Sequence, residues 1–360
     1  MRPIRVLVVD DSAYNRRAIA EMLEELPDVE VVGKATDGDE ALRMVAQLSP
    51  DLVTLDLEMP RMDGFTFLRL LMARRPTPVI VVSGYSHKEN VFRALELGAL
   101  DFVAKPTRTV ASDLSSIRDD LAEKVEVVRH LSPANIDPKQ RGMGRGRTAT
   151  QIFQVGSGKP VPPAEQMPAP VAETAPLVLV GASTGGPTAL VELFGRLPAS
   201  ARIVVAQHMP ERFTKTFADR LNRISPVKVV EGEGALELVP GVAVICPGGR
   251  CVEIERSGEA LFAKVLPPEP EDRYVPSVDR LFRSGARAAG EKVVAIVLTG
   301  MGDDGSRGVA EVKDAGGTVL AEAPETAVIY GMPGAAVRTG HVDRSLPLRA
   351  LAERIAELVR

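Results

Sequence analysis

The residues able to do chemistry fall into two groups, both at the ends of apolar runs. In the second half of the chain, LVLVGASTGGPTAL (177–190) halts at Gly181-Ala182-Ser183-Thr184-Gly185-Gly186, and a helical pattern starts near Pro187. A buried strand, a Gly-rich turn and a helix would put Ser183 at the carboxyl end of a sheet, where open α/β folds place their chemistry. The loop alone fits three readings: a nucleophile elbow through Gly181-x-Ser183-x-Gly185, an anion cradle at a helix N-terminus, or a structural turn. Two later strand ends bear on the choice, Gln207-His208-Met209-Pro210 after 202–206 and Asp303-Asp304-Gly305 after 293–298. A hydroxyl, an imidazole and a carboxylate supply a nucleophile, its general base and the group that fixes the base's tautomer. Their order, Ser then His then Asp, departs from that of ordinary α/β-hydrolases, so the elbow pattern does not name the fold.

The first half carries the other group. Asp10 and Asp11 end a first strand-like run, Asp56 a third, Ser83 a fourth and Lys105 a fifth. If those strands are neighbours, the three carboxylates converge into a hard-oxygen cluster suited to Mg²⁺, with a hydroxyl and an ammonium at the same edge. One such Asp would be an ordinary helix cap; five polar groups on four strand ends point to a site.

The elements that must position these groups alternate. Residues 4–9, 29–33, 51–55, 78–82 and 100–104 read as strands, and 13–26, 38–48, 64–73, 87–97 and 109–130 as helices. Such a βα alternation builds a parallel sheet covered on both faces. Residues 131–175, rich in Pro, Ala, Gly and clustered Arg, lose all periodicity and read as a tether. Beyond it, a helix over 211–223 carries Phe213, Phe217 and Leu221 on one face. Short strands follow at 227–230, 242–246, 251–255 and 261–265, with Pro247-Gly248-Gly249-Arg250 as a hairpin turn. Ser277 is placed to cap a helix, another helix is expected over 304–315, apolar segments lie at 318–321 and 327–330, and a helix over 346–358 closes the chain. The expectation is an α/β protein: a (βα)5 domain over 1–125, a helix end and linker over 126–175, and over 176–360 a doubly wound, mostly parallel domain with a small antiparallel hairpin portion.

Composition narrows the function. With 360 residues, 45% of them hydrophobic, the chain can bury two cores. A net charge of −4, from 44 basic and 48 acidic residues, gives no global pull toward nucleic acid or anionic membranes. No basic recognition segment at helical spacing supports a DNA-binding output, and no Trp and only four Tyr argue against base-stacking platforms. No apolar run reaches membrane-spanning length, and the two Cys, Cys246 and Cys251, read as reduced thiols, so a cytoplasmic protein without membrane insertion is expected.

The pattern Val8-Val9-Asp10-Asp11-Ser12, Asp56-Leu57-Glu58-Met59-Pro60-Arg61-Met62-Asp63-Gly64, Ser83 and Lys105-Pro106 resembles the receiver domain of two-component response regulators. The resemblance implies that Asp56 accepts a phosphoryl group from a histidine kinase. Asp10, Asp11, Asp56 and the Glu58 carbonyl would hold Mg²⁺, and Ser83 and Lys105 would contact the phosphoryl oxygens. It also implies a cis Lys105-Pro106 bond and an aromatic switch residue, Phe102 or Tyr85. Independently, a cation and Lys105 can neutralise a phosphoryl group transferring to a carboxylate.

Residues 176–345 resemble the catalytic domain of chemotaxis protein-glutamate methylesterases. The motifs are Gly181-Ala182-Ser183-Thr184-Gly185-Gly186-Pro187, Gln207-His208-Met209-Pro210, Pro276-Ser277-Val278-Asp279, Leu298-Thr299-Gly300-Met301-Gly302-Asp303-Asp304-Gly305 and Gly331-Met332-Pro333. The resemblance selects Asp304 of the acidic pair and offers Met301 N–H and groups around Thr184 for the oxyanion. It implies hydrolysis of glutamate γ-methyl esters on chemoreceptors, deamidation of some receptor glutamines, no cofactor for the ester step, and recruitment to receptor arrays. It further implies an unphosphorylated receiver covering the esterase cleft. Two departures, Cys251 after the Pro-Gly-Gly turn and Tyr274-Val275 before Pro276, are expected away from the triad, altering receptor preference rather than hydrolysis.

Overall fold

The computed structural model describes residues 2–84, 88–105, 111–131 and 175–359, without the side chains of 111–116. The expected tether, the Lys105-Pro106 bond and Tyr85 lie wholly or largely outside the described residues.

The first sheet is built from β1 (Ile4–Val9), β2 (Val29–Ala35), β3 (Leu52–Leu55), β4 (Val79–Ser83) and β5 (Asp101–Ala104), in the order β2-β1-β3-β4-β5. All its pairs are parallel, and the strands are Val- and Leu-rich because both faces are covered. Helices Ala13–Glu24, Gly38–Leu48 and Gly64–Arg74 start where Ser12, Asp37 and Asp63 accept a backbone N–H from three residues ahead. Val9 pairs with Leu55, and the Asp56 N–H donates to the Val9 carbonyl. This register sets Asp10 beside Asp56.

The second half numbers its strands β6 (Leu177–Ala182), β7 (Arg202–Gln207), β8 (Lys228–Glu231), β9 (Ala235–Glu237), β10 (Val242–Ile245), β11 (Cys251–Ser257), β12 (Ala260–Leu266), β13 (Val293–Val297), β14 (Thr318–Glu322) and β15 (Arg344–Leu346). Seven of them form a parallel sheet in the order β15-β14-β13-β6-β7-β10-β8. The period of two along β6 is plain in its packing. Val178 and Val180 join the core under helices Gly186–Phe194 and Glu211–Ile224, whereas Leu177 and Leu179 join the core under helix Val278–Ala289. Because the chain runs from β6 outward through β7 and later returns to β13 on its other side, β6 and β13 flank the topological switch point.

Two expectations change. The Pro247–Arg250 turn joins no hairpin: β10 stays parallel in the large sheet, and β11 leaves it to pair antiparallel with β12, the two connected through Gly258 at φ +60°. Gly248 makes this exit possible, since a Cβ there would lie 2.3 Å from the Met209 carbonyl. The helix expected over 304–315 begins only at Gly308, because Asp304 is held by other groups and Asp279 Oδ1 instead accepts the Arg307 and Gly308 N–H groups at 3.0 and 2.8 Å.

The two sheets share a boundary built like a core. Phe92 stacks on Phe217 with centroids 5.3 Å apart, and Phe102 meets Phe213 at 4.6 Å. Arg220 pairs with Glu96, and Arg223 with Glu89 at 3.1 Å, around them. Buried aromatics inside a charged rim are the usual anatomy of a specific interface.

Candidate active site

β6, β7 and β13 bring Ser183, His208 and Asp304 to one edge. The Ser183 N–H donates to the Thr299 carbonyl at 3.0 Å and the His208 N–H to the Ala182 carbonyl at 2.9 Å, so the ladder continues into the three loops. Gly185 takes φ +79°, a conformation that favours glycine, to turn the chain into the Gly186–Phe194 helix. Gly186 makes room for a neighbour rather than for substrate: a Cβ would lie 2.0 Å from Gln207 Oε1. Gln207 is buried and ties the two loops together, its Nε2 donating to the Ser183 and His208 carbonyls at 2.9 Å each.

Asp304 is 1% exposed and fully engaged. Oδ2 lies 2.9 Å from His208 Nε2 and accepts the Val278 N–H at 2.8 Å; Oδ1 accepts the Asp279 and Gly305 N–H groups at 2.9 and 3.0 Å. The Pro276-Ser277-Val278-Asp279 motif thus offers amides to the carboxylate, while Ser277 caps its own helix through the Arg280 N–H. An ionised Asp304 would accept from His208 Nε2, the tautomer that leaves Nδ1 unprotonated. Asp303 is placed differently, half exposed and bonded to Arg273 and Tyr274. Among the described residues no hydrogen bond joins Ser183 Oγ to His208, a looseness common before substrate binds.

Gly300 closes against Ser183, where a Cβ would sit 2.7 Å from the Ser183 Cβ, and its carbonyl accepts the Gly331 and Met332 N–H groups. That contact explains the Gly331-Met332-Pro333 motif. The N–H groups of Thr184 and Met301 make no hydrogen bond among the described residues. Beneath them Glu322 Oε2 accepts the Thr299 N–H at 2.8 Å, and burial pushes the Glu322 pKa up to about 7.

The first sheet reaches this edge directly. Thr184 Oγ1 donates to Asp101 Oδ2 at 2.8 Å, and Lys124 Nζ lies 2.9 Å from the same oxygen. Burial opposes the Lys124 charge, but Asp101 and Asp120 outweigh it and raise its pKa. Leu100, Val127, Val328 and Ile329 form a small buried cluster against which Leu131 and Met301 pack, leaving Ser183 4% and Thr184 2% exposed.

At the carboxyl edge of the first sheet, ligand atoms of Asp10, Asp11 and Asp56 lie within 4.8 Å of one another. Lys105 Nζ pairs with Asp56 Oδ2 at 2.6 Å and with Asp10 Oδ2 at 3.3 Å, one ammonium shared between two buried carboxylates. Burial raises the pKa of both acids against the pull of Lys105, and the two acids raise Lys105 in spite of its own burial. Buried hard oxygens are what a small divalent cation requires, so the donor set fits Mg²⁺. Ser83 is buried at the end of β4, and the Glu58 N–H donates to Asp56 Oδ1 at 3.2 Å.

A family model described as "Response regulator receiver domain" matches residues 6–112, and one described as "CheB methylesterase" matches 178–355. Protein-glutamate methylesterase/protein-glutamine glutaminase 3 of Geobacter sulfurreducens is 49% identical over 366 residues, covering 99% of this chain and 98% of its own. The chain belongs to the protein-glutamate methylesterase/protein-glutamine glutaminase family. Within that family, enzyme 1 of Myxococcus xanthus is 46% identical over 360 residues, covering 99% of this chain and 97% of its own. The crystal structure of the methylesterase catalytic domain from Thermotoga maritima is 38% identical, covers 51% of this chain and 99% of its own, and superposes with a TM-score of 0.50. As a methylesterase-family member the chain is a carboxylic ester hydrolase carrying a response-regulator receiver.

Several residues of this methylesterase site escaped the sequence. Gln207 and Thr299 were visible only as parts of motifs, and Asp101 and Glu322 carry no signal at all. Tyr274 was expected away from the triad, yet its ring lies parallel to His208. Cys251 does sit apart, buried near Asp272 with its thiol pushed up to about 11 by that burial.

Proposed function

We propose that this chain hydrolyses glutamate γ-methyl esters, and deamidates glutamines, on methyl-accepting chemotaxis receptors under the control of receiver phosphorylation. Residues 1–125 form the receiver, 126–175 the tether and 176–360 the esterase. The observation that carries the hydrolytic reading is Asp304, saturated by three backbone N–H groups and bonded to His208 Nε2, which leaves Nδ1 as the base for Ser183.

In the proposed reaction His208 Nδ1 takes the Ser183 proton as Oγ attacks the ester carbonyl, and the Thr184 and Met301 N–H groups receive the oxyanion. The imidazolium, stabilised by Asp304, returns the proton to the departing methoxide, which leaves as methanol. Water then gives a proton to His208 and attacks the acyl-serine, releasing the glutamate carboxylate and restoring Ser183. With a glutamine substrate the leaving group is ammonia.

In the receiver, Asp56 would accept the phosphoryl group from a chemotaxis histidine kinase. Asp10, Asp11, Asp56 and the Glu58 carbonyl would hold Mg²⁺, which when bound neutralises phosphoryl charge. Lys105 would pair with the phosphoryl oxygens and Ser83 would donate to them. The described interface supports control by access: Asp101 holds Thr184, and Leu100 and Val127 cover the Met301 side of the cleft. The protein would act in the cytoplasm at receptor arrays; no described helix is long and apolar enough to cross a membrane.

Methanol release from methyl-labelled receptor membranes tests the reaction. Wild type should release methanol and Ser183→Ala should not; an equal rate from the variant would refute the assignment.

A further inference from the structure

His208 is held at its edge by Asp304 and on its face by an aromatic ring. The Tyr274 ring lies 8° from parallel to the imidazole, with centroids 5.3 Å apart. Tyr274 is itself fixed from behind. Its hydroxyl donates to Asp303 Oδ1 at 3.0 Å, Arg273 Nη1 lies 3.1 Å from that same oxygen, and the guanidinium carbon is 5.1 Å from the Tyr274 centroid. Gly302, at φ +86°, lets its loop close on this ring, since a Cβ there would lie 2.6 Å from the Tyr274 hydroxyl. Consecutive carboxylates therefore serve one base by different routes: Asp304 binds the imidazole, and Asp303 binds the ring stacked on it.

We propose that Tyr274 is a positioning residue for the general base, holding the His208 ring in the plane that keeps Nε2 on Asp304 and Nδ1 toward Ser183. The inference rests on the Ser183, His208 and Asp304 reading and adds a fourth side chain to it. A single hydrogen bond leaves an imidazole free to tilt about that bond. A flat ring against its face removes the freedom, and Asp303 keeps the flat ring in place. The π face also carries partial negative charge, which favours the imidazolium formed when Ser183 is deprotonated over the neutral ring. Arg273 and Asp303 neutralise each other behind the stack, so the ring face rather than a net charge acts on His208. These effects belong to the chemical step and not to substrate capture.

The test measures kcat and KM for methanol release by the full chain acting on methylated receptor membranes. The variants are Tyr274→Phe, Tyr274→Leu and Tyr274→Ala, with Ser183→Ala as the reference for the triad. Loss of the stacked ring in the Leu and Ala variants should lower kcat roughly tenfold with KM unchanged, and Phe should restore most of that loss. A Leu variant as active as Phe would show that the ring only fills space. A raised KM with unchanged kcat would show that Tyr274 meets substrate instead. Either result overturns the proposal while Ser183→Ala remains inactive; a Ser183→Ala enzyme that still turns over would instead overturn the triad reading itself.

Discussion

The two sheets of this protein place their sites at the same edge and fill them in opposite ways. At the receiver edge, Asp10, Asp11 and Asp56 crowd around the Lys105 ammonium, and burial lifts the pKa values of Asp10 and Asp56. That site is short of positive charge and organised to take it up. At the esterase edge one carboxylate is saturated by three backbone donors and a histidine, and little is left unbalanced. The second site has its polar partners in place and is covered, with Ser183 only 4% exposed. A cluster rich in charge thus sits in the domain packed against the buried Ser183 loop. The contact from Asp101 to Thr184 joins the receiver to the residue beside Ser183.

The contrast can be broken at several points. The largest effect should come from Ser183→Ala, which is expected to lower hydrolysis by a factor on the order of 10³ or more without changing phosphoryl labelling of the receiver; coupled loss of both would show that the sites are not separable. Asp304→Asn should cost roughly 10²- to 10⁴-fold in kcat with intact folding by circular dichroism, because an amide no longer enforces the Nε2–H tautomer. Asp56→Asn should take up no phosphoryl label from a small phosphodonor with Mg²⁺.

A subtler prediction concerns the burial of a carboxyl group. The folded-state pKa of Glu322 is about 7 against an ordinary 4.5, so the folded chain binds this proton more tightly than the unfolded one. Its contribution to stability is greatest below pH 4.5, declines as pH rises to about 7 and stays low above it. Glu322→Gln keeps an acceptor for the Thr299 N–H and should gain up to roughly 3 kcal/mol over wild type at pH 8, with the gain fading toward pH 4.5 in denaturant titrations. The smallest effect is expected at the rim, where Arg223→Ala, losing an exposed pair with Glu89, should change stability by less than about 1 kcal/mol.

Much of this was legible because parallel strands advertise themselves. Runs such as 6–9 and 177–180 are apolar at every position, and the polar residues that follow fall at the sheet edge where chemistry collects. Ser183, His208 and the Asp303-Asp304 pair stood out for that reason, and the family resemblance chose Asp304 from the pair. The misplaced hairpin has the opposite cause, since a turn rich in Pro and Gly looks the same whether it returns a strand to its neighbour or sends it to another sheet. Asp101 and Glu322 were not legible because their roles arise from partners distant in sequence, Thr184 and Thr299. Tyr274 was read as a departure from a family pattern, and only the fold reveals that its ring stacks on His208.

The central claim is that phosphoryl chemistry at Asp56 governs access to Ser183. Methanol release from methylated receptor membranes, measured for wild type and Asp56→Asn with and without a small phosphodonor and Mg²⁺, tests it most directly. The account predicts that the phosphodonor accelerates wild type and leaves Asp56→Asn at the unstimulated rate of both proteins. Equal acceleration of the two, or none in a wild type shown to be phosphorylated, would contradict it.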